Sequence, residues 1–389
     1  MTLAPASSPK IELKALTSLR FFAAMMIVAL HMRAVIDTRW LAQAPESLVQ
    51  GVSFFFVLSG FILTHVYRAK RDLTIGGFIA LRVARLYPTH LAATLFLIIA
   101  TPWGQIPFVG AGPGLTALSF VLKLLMLDSL VPVASVQFGW NGVSWSLSTE
   151  MFFYLAFPFL IAGFAANWRV KLALAALCPV AVYSIGALLG LAVAGASSND
   201  FSLAQLGFTN PVARGFEFVL GMACYLGWAR WVEPLTLSVR RWTAIEAASI
   251  IALLGWLGYG VRATEAHLTS PEIWLWFNSS GACGFFAALI VVFAGGRGRL
   301  GALLTRRPMV WLGEISFAIY MFHQIAIRVL SGVVATEFGP DLSALLVLAA
   351  IIVIAAANHR WVEAPGRRFV LSLANRMRGA TGKPALAGA

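Results

Sequence analysis

Apolar runs long enough to cross a bilayer recur from one end of this chain to the other, and that repetition restricts its possible folds more than any motif does. A hydrocarbon layer about 30 Å thick takes about 20 apolar residues of helix, and no backbone amide inside it can stay unpaired. Windows of that size fall at about 16–34, 48–67, 86–102, 143–164, 170–194, 211–229, 243–260, 273–294, 310–330 and 342–358. The expected fold is all-α: a polytopic membrane helix bundle of about ten transmembrane helices. Only 12% of the 389 residues are charged and 59% are hydrophobic, which excludes a water-soluble or disordered chain.

A net charge of +13 could point to nucleic acid, but its distribution points to the membrane. With the N-terminus in the cytoplasm, 22 of the 29 basic residues fall on inner-side connections, Lys10, Lys70, Arg71 and Lys383 among them. The remainder are Arg20, Arg33, Arg39, Lys123, Arg214, Arg262 and Arg328. This bias places both termini in the cytoplasm, with membrane lipid and no nucleic acid as partner. The stretch from Leu115 to Val136 is apolar, yet it contains Lys123 and Asp128. Counting it as a span would turn most later basic loops outward, so it is expected to be a re-entrant or interfacial segment. Residues 1–370 form the membrane domain, and 371–389 read as a disordered basic cytoplasmic tail near anionic lipid. MTLAPASSPK lacks a cleavage site, so the first helix is expected to stay. Cys178, Cys224 and Cys283 are spaced for neither a disulfide set nor a metal, and the six histidines are scattered; no metal is expected.

Ionisable groups inside apolar windows are informative, because a charge at membrane depth is costly unless it faces the bundle interior or a polar cavity. The first window reads LTSLRFFAAMMIVALHMR from Leu16 to Arg33, with Arg20 near one end and His31 near the other. Eleven residues of helix separate them by about 16 Å. That is close to three turns, so both project from nearly one face. A water-accessible shaft shared by the two is expected; the alternative is an arginine reaching for headgroups and a core histidine bonded to a carbonyl.

The connection after the second window ends in Arg82-Val83-Ala84-Arg85-Leu86-Tyr87-Pro88. At i and i+3 of a helix start, two guanidiniums share a face and suit phosphates through planar, permanently charged donors. Ordinary anchoring at the inner surface is the other reading. The fourth window opens on WNGVSWSLSTE, Trp140 to Glu150, the most polar run in any of the ten. Glu150 lies roughly two turns inside, where a carboxylate pairs with a cation or takes up a proton, and Arg20 or a protonated His31 is the expected partner. The run lines a cavity, or else its hydroxyls bond to their own helix and Glu150 locks helices together. Arg214 and Glu217, at i and i+3, are expected to neutralise each other. His323, in ISFAIYMFHQ, reads as a core histidine, and Glu363 as a partner for inner-surface arginines.

Six pieces follow one another in an order that resembles acyltransferase family 3, integral membrane proteins that include bacterial glycan O-acetyltransferases. They are Arg-x10-His at Arg20 and His31, FFFVLSGFIL from Phe54 to Leu63, and Arg-x-x-Arg at Arg82 and Arg85. WSLSTEMFFY from Trp145 to Tyr154, GEISFAIYMFHQ from Gly313 to Gln324 and VEAPGRR from Val362 to Arg368 complete the set. The resemblance covers nearly the whole chain. It implies a multi-pass protein of the bacterial inner membrane that takes an acyl group, most simply acetyl, from cytoplasmic acyl-CoA. The acceptor would be a hydroxyl of a saccharide or lipid-linked glycan at or beyond the outer face.

On that resemblance, Arg82 and Arg85 hold the donor's phosphates, the pantetheine arm rises past Arg20, and the thioester meets His31. The imidazole then acts as general base or as covalent acyl carrier. Glu150 orients or charge-balances it, and Ser146 hydrogen-bonds the donor or the developing oxyanion. Some members of the family carry a C-terminal SGNH-type domain; none is expected here, so transfer is expected to be completed by the membrane domain alone or with a separate periplasmic partner. The rival function is a transporter or exporter of a lipid-linked or small anionic molecule, with Arg20, Glu150 and His31 along its path; no inverted repeat supports it.

Overall fold

The computed structural model describes residues 13–68, 74–109, 112–268 and 270–379. Lys10, Lys70, Arg71 and Lys383, counted above on the inner side, lie outside the described residues, as does 380–389 of the expected tail. Among the described residues there is no strand, only an isolated bridge between Val133 and Phe201.

The apolar runs become helices α1 (Lys14–Arg33), α2 (Gly51–Tyr67), α3 (Ile75–Ala100), α4 (Pro113–Leu124), α5 (Trp145–Ile161) and α6 (Phe164–Leu188). They continue as α7 (Pro211–Gly227), α8 (Val239–His267), α9 (Pro271–Phe293), α10 (Arg307–Glu337), α11 (Pro340–Asn358) and α12 (Ala364–Gly379). Eight segments among the described residues are long and apolar enough to cross a membrane: α1, α2 with its lead-in from Glu46, α3, α6, α8, α9, α10, and α11 with its continuation. Of the other two expected spans, α5 has 17 residues and at 1.5 Å per residue reaches only about 25 Å, short of a full hydrocarbon core. By contrast, α7 continues through a π-helical turn over Trp228–Val232 and carries buried Arg214 and Glu217 in its apolar run.

Two boundaries differ from expectation. Where a span from about 86 was expected, α3 starts at Ile75, capped by the Thr74 side chain accepting from Gly77 N, and runs through Pro88. Arg82 and Arg85 therefore stand within a helix rather than at its start. At the other end α12 stays helical to Gly379, through the first part of the tail expected to be disordered. Packing holds it: Ala374 is buried against Leu81 of α3, and a Cβ on Gly366 would lie 2.7 Å from Pro88 Cβ.

The expected re-entrant element is the 12-residue α4, about 18 Å long and unable to span. Buried Lys123 Nζ donates to Asp128 at 2.5 Å and to the Gln137 carbonyl at 2.8 Å, which pins the segment inside protein. Close backbone approach sets the main crossings. A Cβ on Gly60 would lie 2.0 Å from the Phe218 carbonyl oxygen and one on Gly221 1.9 Å from that of Val57, so α2 and α7 touch at glycine. At the crossing of α1 and α10, a Cβ on Gly313 would lie 2.0 Å from the Thr17 carbonyl oxygen. Arg214 and Glu217 pair at 3.2 Å, both buried, as their spacing suggested. The periphery is apolar, with Leu188 86%, Ile99 75% and Phe159 70% exposed, the surface of a protein solvated by lipid.

Candidate active site

Between the N-terminal half of α1 and the stretch of α2 from Val52 to Leu63 lies a cavity of about 190 Å³ that also borders α3, α5 and α10. Arg20 enters it from α1, Arg82 and Arg85 from successive turns of α3, and Ser146 and Glu150 from one face of α5. Five of the six residues singled out in the sequence thus share this arginine chamber.

Arg82 is held in an aromatic cage. Its guanidinium carbon lies 5.7 Å from the ring centres of Tyr67 and Phe78 and 5.8 Å from that of Tyr154, and Nη2 donates to Tyr67 Oη at 3.1 Å. Its Nε is buried without a partner. Arg20 and Arg85 are half-buried, and neither makes a hydrogen bond or ion pair among the described residues. Glu150 accepts from Ser59 Oγ at 3.1 Å and from the Tyr154 hydroxyl. Three guanidiniums face one carboxylate, and the natural complement of the spare donors is an oxyanion such as phosphate.

His31 lies in a second cavity, of about 320 Å³, with Gln324 and Arg328. Its walls are mostly apolar and aromatic, including Phe138, Trp145 and Phe208. His31 Nδ1 is 3.0 Å from the Ile27 carbonyl oxygen and 3.0 Å from Nε2 of the fully buried His323, whose own Nδ1 is 2.7 Å from the Tyr320 carbonyl oxygen. These contacts fix the tautomers. A carbonyl only accepts, so His323 carries its proton on Nδ1 and presents a lone pair at Nε2. That lone pair needs a donor, and the atom facing it is His31 Nδ1. Neutral His31 therefore keeps its basic lone pair on Nε2, which neither contact occupies.

The two chambers are separate. Val52 and Tyr320 line both, and Tyr320 is fixed by donating to the Val143 carbonyl at 3.0 Å and accepting from Ser146 Oγ at 2.9 Å. The expected shaft from Arg20 to His31 is interrupted by this partition, and Ser146 spends its hydroxyl on it. Glu150, expected beside the imidazole, stays with Ser59 and Tyr154 on the arginine side. The group that meets His31 is His323, read from sequence as a core residue. The four-residue spacing of Tyr320, Gln324 and Arg328 marks a face of α10 with polar tips, but it does not single out His323.

Fold and cavities together define a multi-pass membrane protein with a cationic chamber set against a histidine pair. The chain belongs to the acyltransferase 3 family: residues 13–358 match the family described as "Acyltransferase domain". It is 30% identical to Acyltransferase MdmB of Streptomyces mycarofaciens, an alignment over 92% of this chain and 93% of that protein. It is also 30% identical to Exopolysaccharide production protein ExoZ of Rhizobium meliloti, over 84% of this chain and 93% of the other. O-acetyltransferase OatA of Staphylococcus aureus is 22% identical over 92% of this chain, which spans only 57% of OatA. No solved structure matches the chain.

Proposed function

We propose that this protein is an acyl-CoA-dependent O-acyltransferase of the bacterial inner membrane, moving an acetyl group from cytoplasmic acetyl-CoA to a hydroxyl of an extracytoplasmic or lipid-linked saccharide. In this proposal the chain crosses ten times with both termini in the cytoplasm, and the arginine chamber opens inward. The observation that carries it is the pair of free guanidiniums, Arg20 and Arg85, beside caged Arg82, one tyrosine away from the histidine pair. The names of MdmB, ExoZ and OatA support acyl transfer and surface-polymer chemistry.

The donor fits the arginine chamber in part. A cavity of about 190 Å³ is smaller than the roughly 300–1,000 Å³ of sites that enclose a drug-sized ligand, so it takes a slender arm and leaves the nucleotide outside. Arg82 and Arg85 bind phosphate oxygens at its mouth, Arg20 guides the arm, and Tyr320 must move aside for the thioester to reach the histidine chamber.

There His31 Nε2 accepts the proton of the acceptor hydroxyl while that oxygen attacks the thioester carbonyl, and coenzyme A departs as a thiolate that takes up a proton. The imidazolium so formed keeps its Nδ1–H on the Ile27 carbonyl and on His323 Nε2, so no new contact is needed to hold it. Glu150 offsets part of the arginine charge and fixes the Tyr154 ring over Arg82.

The test is transfer of labelled acetyl from acetyl-CoA to a saccharide by the purified protein in nanodiscs. Transfer lost about 10²–10⁴-fold in His31→Ala supports the proposal. Flux of solute across vesicles with no thioester consumed would replace it with transport.

A further inference from the structure

We infer that the histidine chamber selects an anionic acceptor, a hydroxyl-bearing saccharide that carries a carboxylate or phosphate, and that Arg328 binds its charge. This rests on the acyl-transfer reading for the chamber's role, and on separate observations for the charge. Arg328 is one of the seven basic residues that fall outside the inner-side connections, in a chain where the other 22 of 29 follow the positive-inside bias. It is half-buried, lines the cavity with His31, and makes no hydrogen bond or ion pair among the described residues. No Asp or Glu lines that cavity. An unpaired guanidinium in a mostly apolar chamber is costly unless a ligand supplies the counter-charge.

Position on α10 supports a substrate role. Tyr320, Gln324 and Arg328 stand on successive turns of one face, so the cation lies about 12 Å along the axis from the tyrosine partition. Gln324 lies between them, its Oε1 3.2 Å from where a Cβ on Gly142 would be, and offers both a donor and an acceptor. A sugar ring packed on Trp145 or Phe208 would thus have its hydroxyl near His31 and its charged substituent near Arg328. Carboxylate and phosphate share the required chemistry, an oxyanion that takes two parallel guanidinium bonds.

The experiment is equilibrium binding to the full chain in nanodiscs of zwitterionic lipid. The probes are a neutral oligogalactoside, the matched oligogalacturonide and a galactoside phosphate ester, titrated against wild type, Arg328→Gln and Arg328→Lys. The charged probes are expected to bind about ten- to a hundredfold tighter than the neutral one in wild type. Arg328→Gln should erase that gap and Arg328→Lys should restore part of it, and the stronger charged probe identifies the oxyanion. No gap in wild type, or a gap that persists in Arg328→Gln, overturns the inference and leaves Arg328 as a headgroup anchor. The expected gap without any transfer from acetyl-CoA would instead remove the proposed acyltransferase reaction and keep the anion site.

Discussion

At the level of single residues, the chemistry turns on which nitrogen of His31 is free. The chain of contacts from the Tyr320 carbonyl through His323 to His31 decides it, so in the proposed reaction His323 would be a positioning residue for His31 as base. His323→Phe is expected to lower kcat about ten- to a hundredfold, less than loss of the base itself, while leaving the KM for acetyl-CoA near wild type. Steady-state kinetics with donor and acceptor varied separately check this, and a proportional loss of active protein with unchanged kcat per folded molecule would mark a merely structural role. Arg85 gives the cleaner test of donor binding, because Arg82 also fills an aromatic cage whose collapse would confuse the result. Arg85→Ala should weaken coenzyme A binding about ten- to a hundredfold by calorimetric titration. Arg20, Glu150 and the arginine pair were legible in the sequence because a charge in an apolar window needs a reason. His323 was not, since a lone histidine on an apolar helix is compatible with a packed core until its partner, 292 positions away, is known.

At the level of helices, backbone contact decides more than side-chain pattern. The carbonyl of Phe218 occupies the place a Cβ on Gly60 would take, and backbone cannot rotate away as a flexible side chain can. Gly60→Val should therefore destabilise the protein by at least the 1–3 kcal/mol or so of ordinary overpacking, read as a lower unfolding temperature in detergent. Gly76, with open space around its Cβ, is the matched control: Gly76→Ala should be tolerated. Helix existence was legible from the apolar runs. Helix ends were not: α3 begins eleven residues early because Thr74 caps it and α12 packs along it, neither of which an apolar window detects. The polar run in α5 was legible as special but not in its division of labour. Ser146 and Glu150 face the arginine chamber, whereas Ser148 bonds Ser129 at 2.7 Å and Thr149 bonds the Thr209 carbonyl at 2.6 Å, tying the helix to its neighbours.

For the whole molecule, the membrane fold follows from length and apolarity, and the family from six ordered motifs. Two chambers end to end along α1, closed from each other by Tyr320 and Val52, follow from neither, because the partition is made by hydrogen bonds between α5 and α10. That partition makes physical sense of the proposed reaction: a closed tyrosine keeps water and protons from crossing the bundle between turnovers. The proposed reaction therefore requires the donor to reach through it. The most direct measurement is an experimental structure of the protein with a non-hydrolysable acetyl-CoA analogue. The predicted result has phosphates on Arg82 and Arg85, the pantetheine beside Arg20, Tyr320 turned aside, and the acyl carbon within about 5 Å of His31 Nε2, room for one hydroxyl oxygen between them. An analogue bound away from the arginines, or one whose acyl group stops on the arginine side of a closed Tyr320, would contradict it.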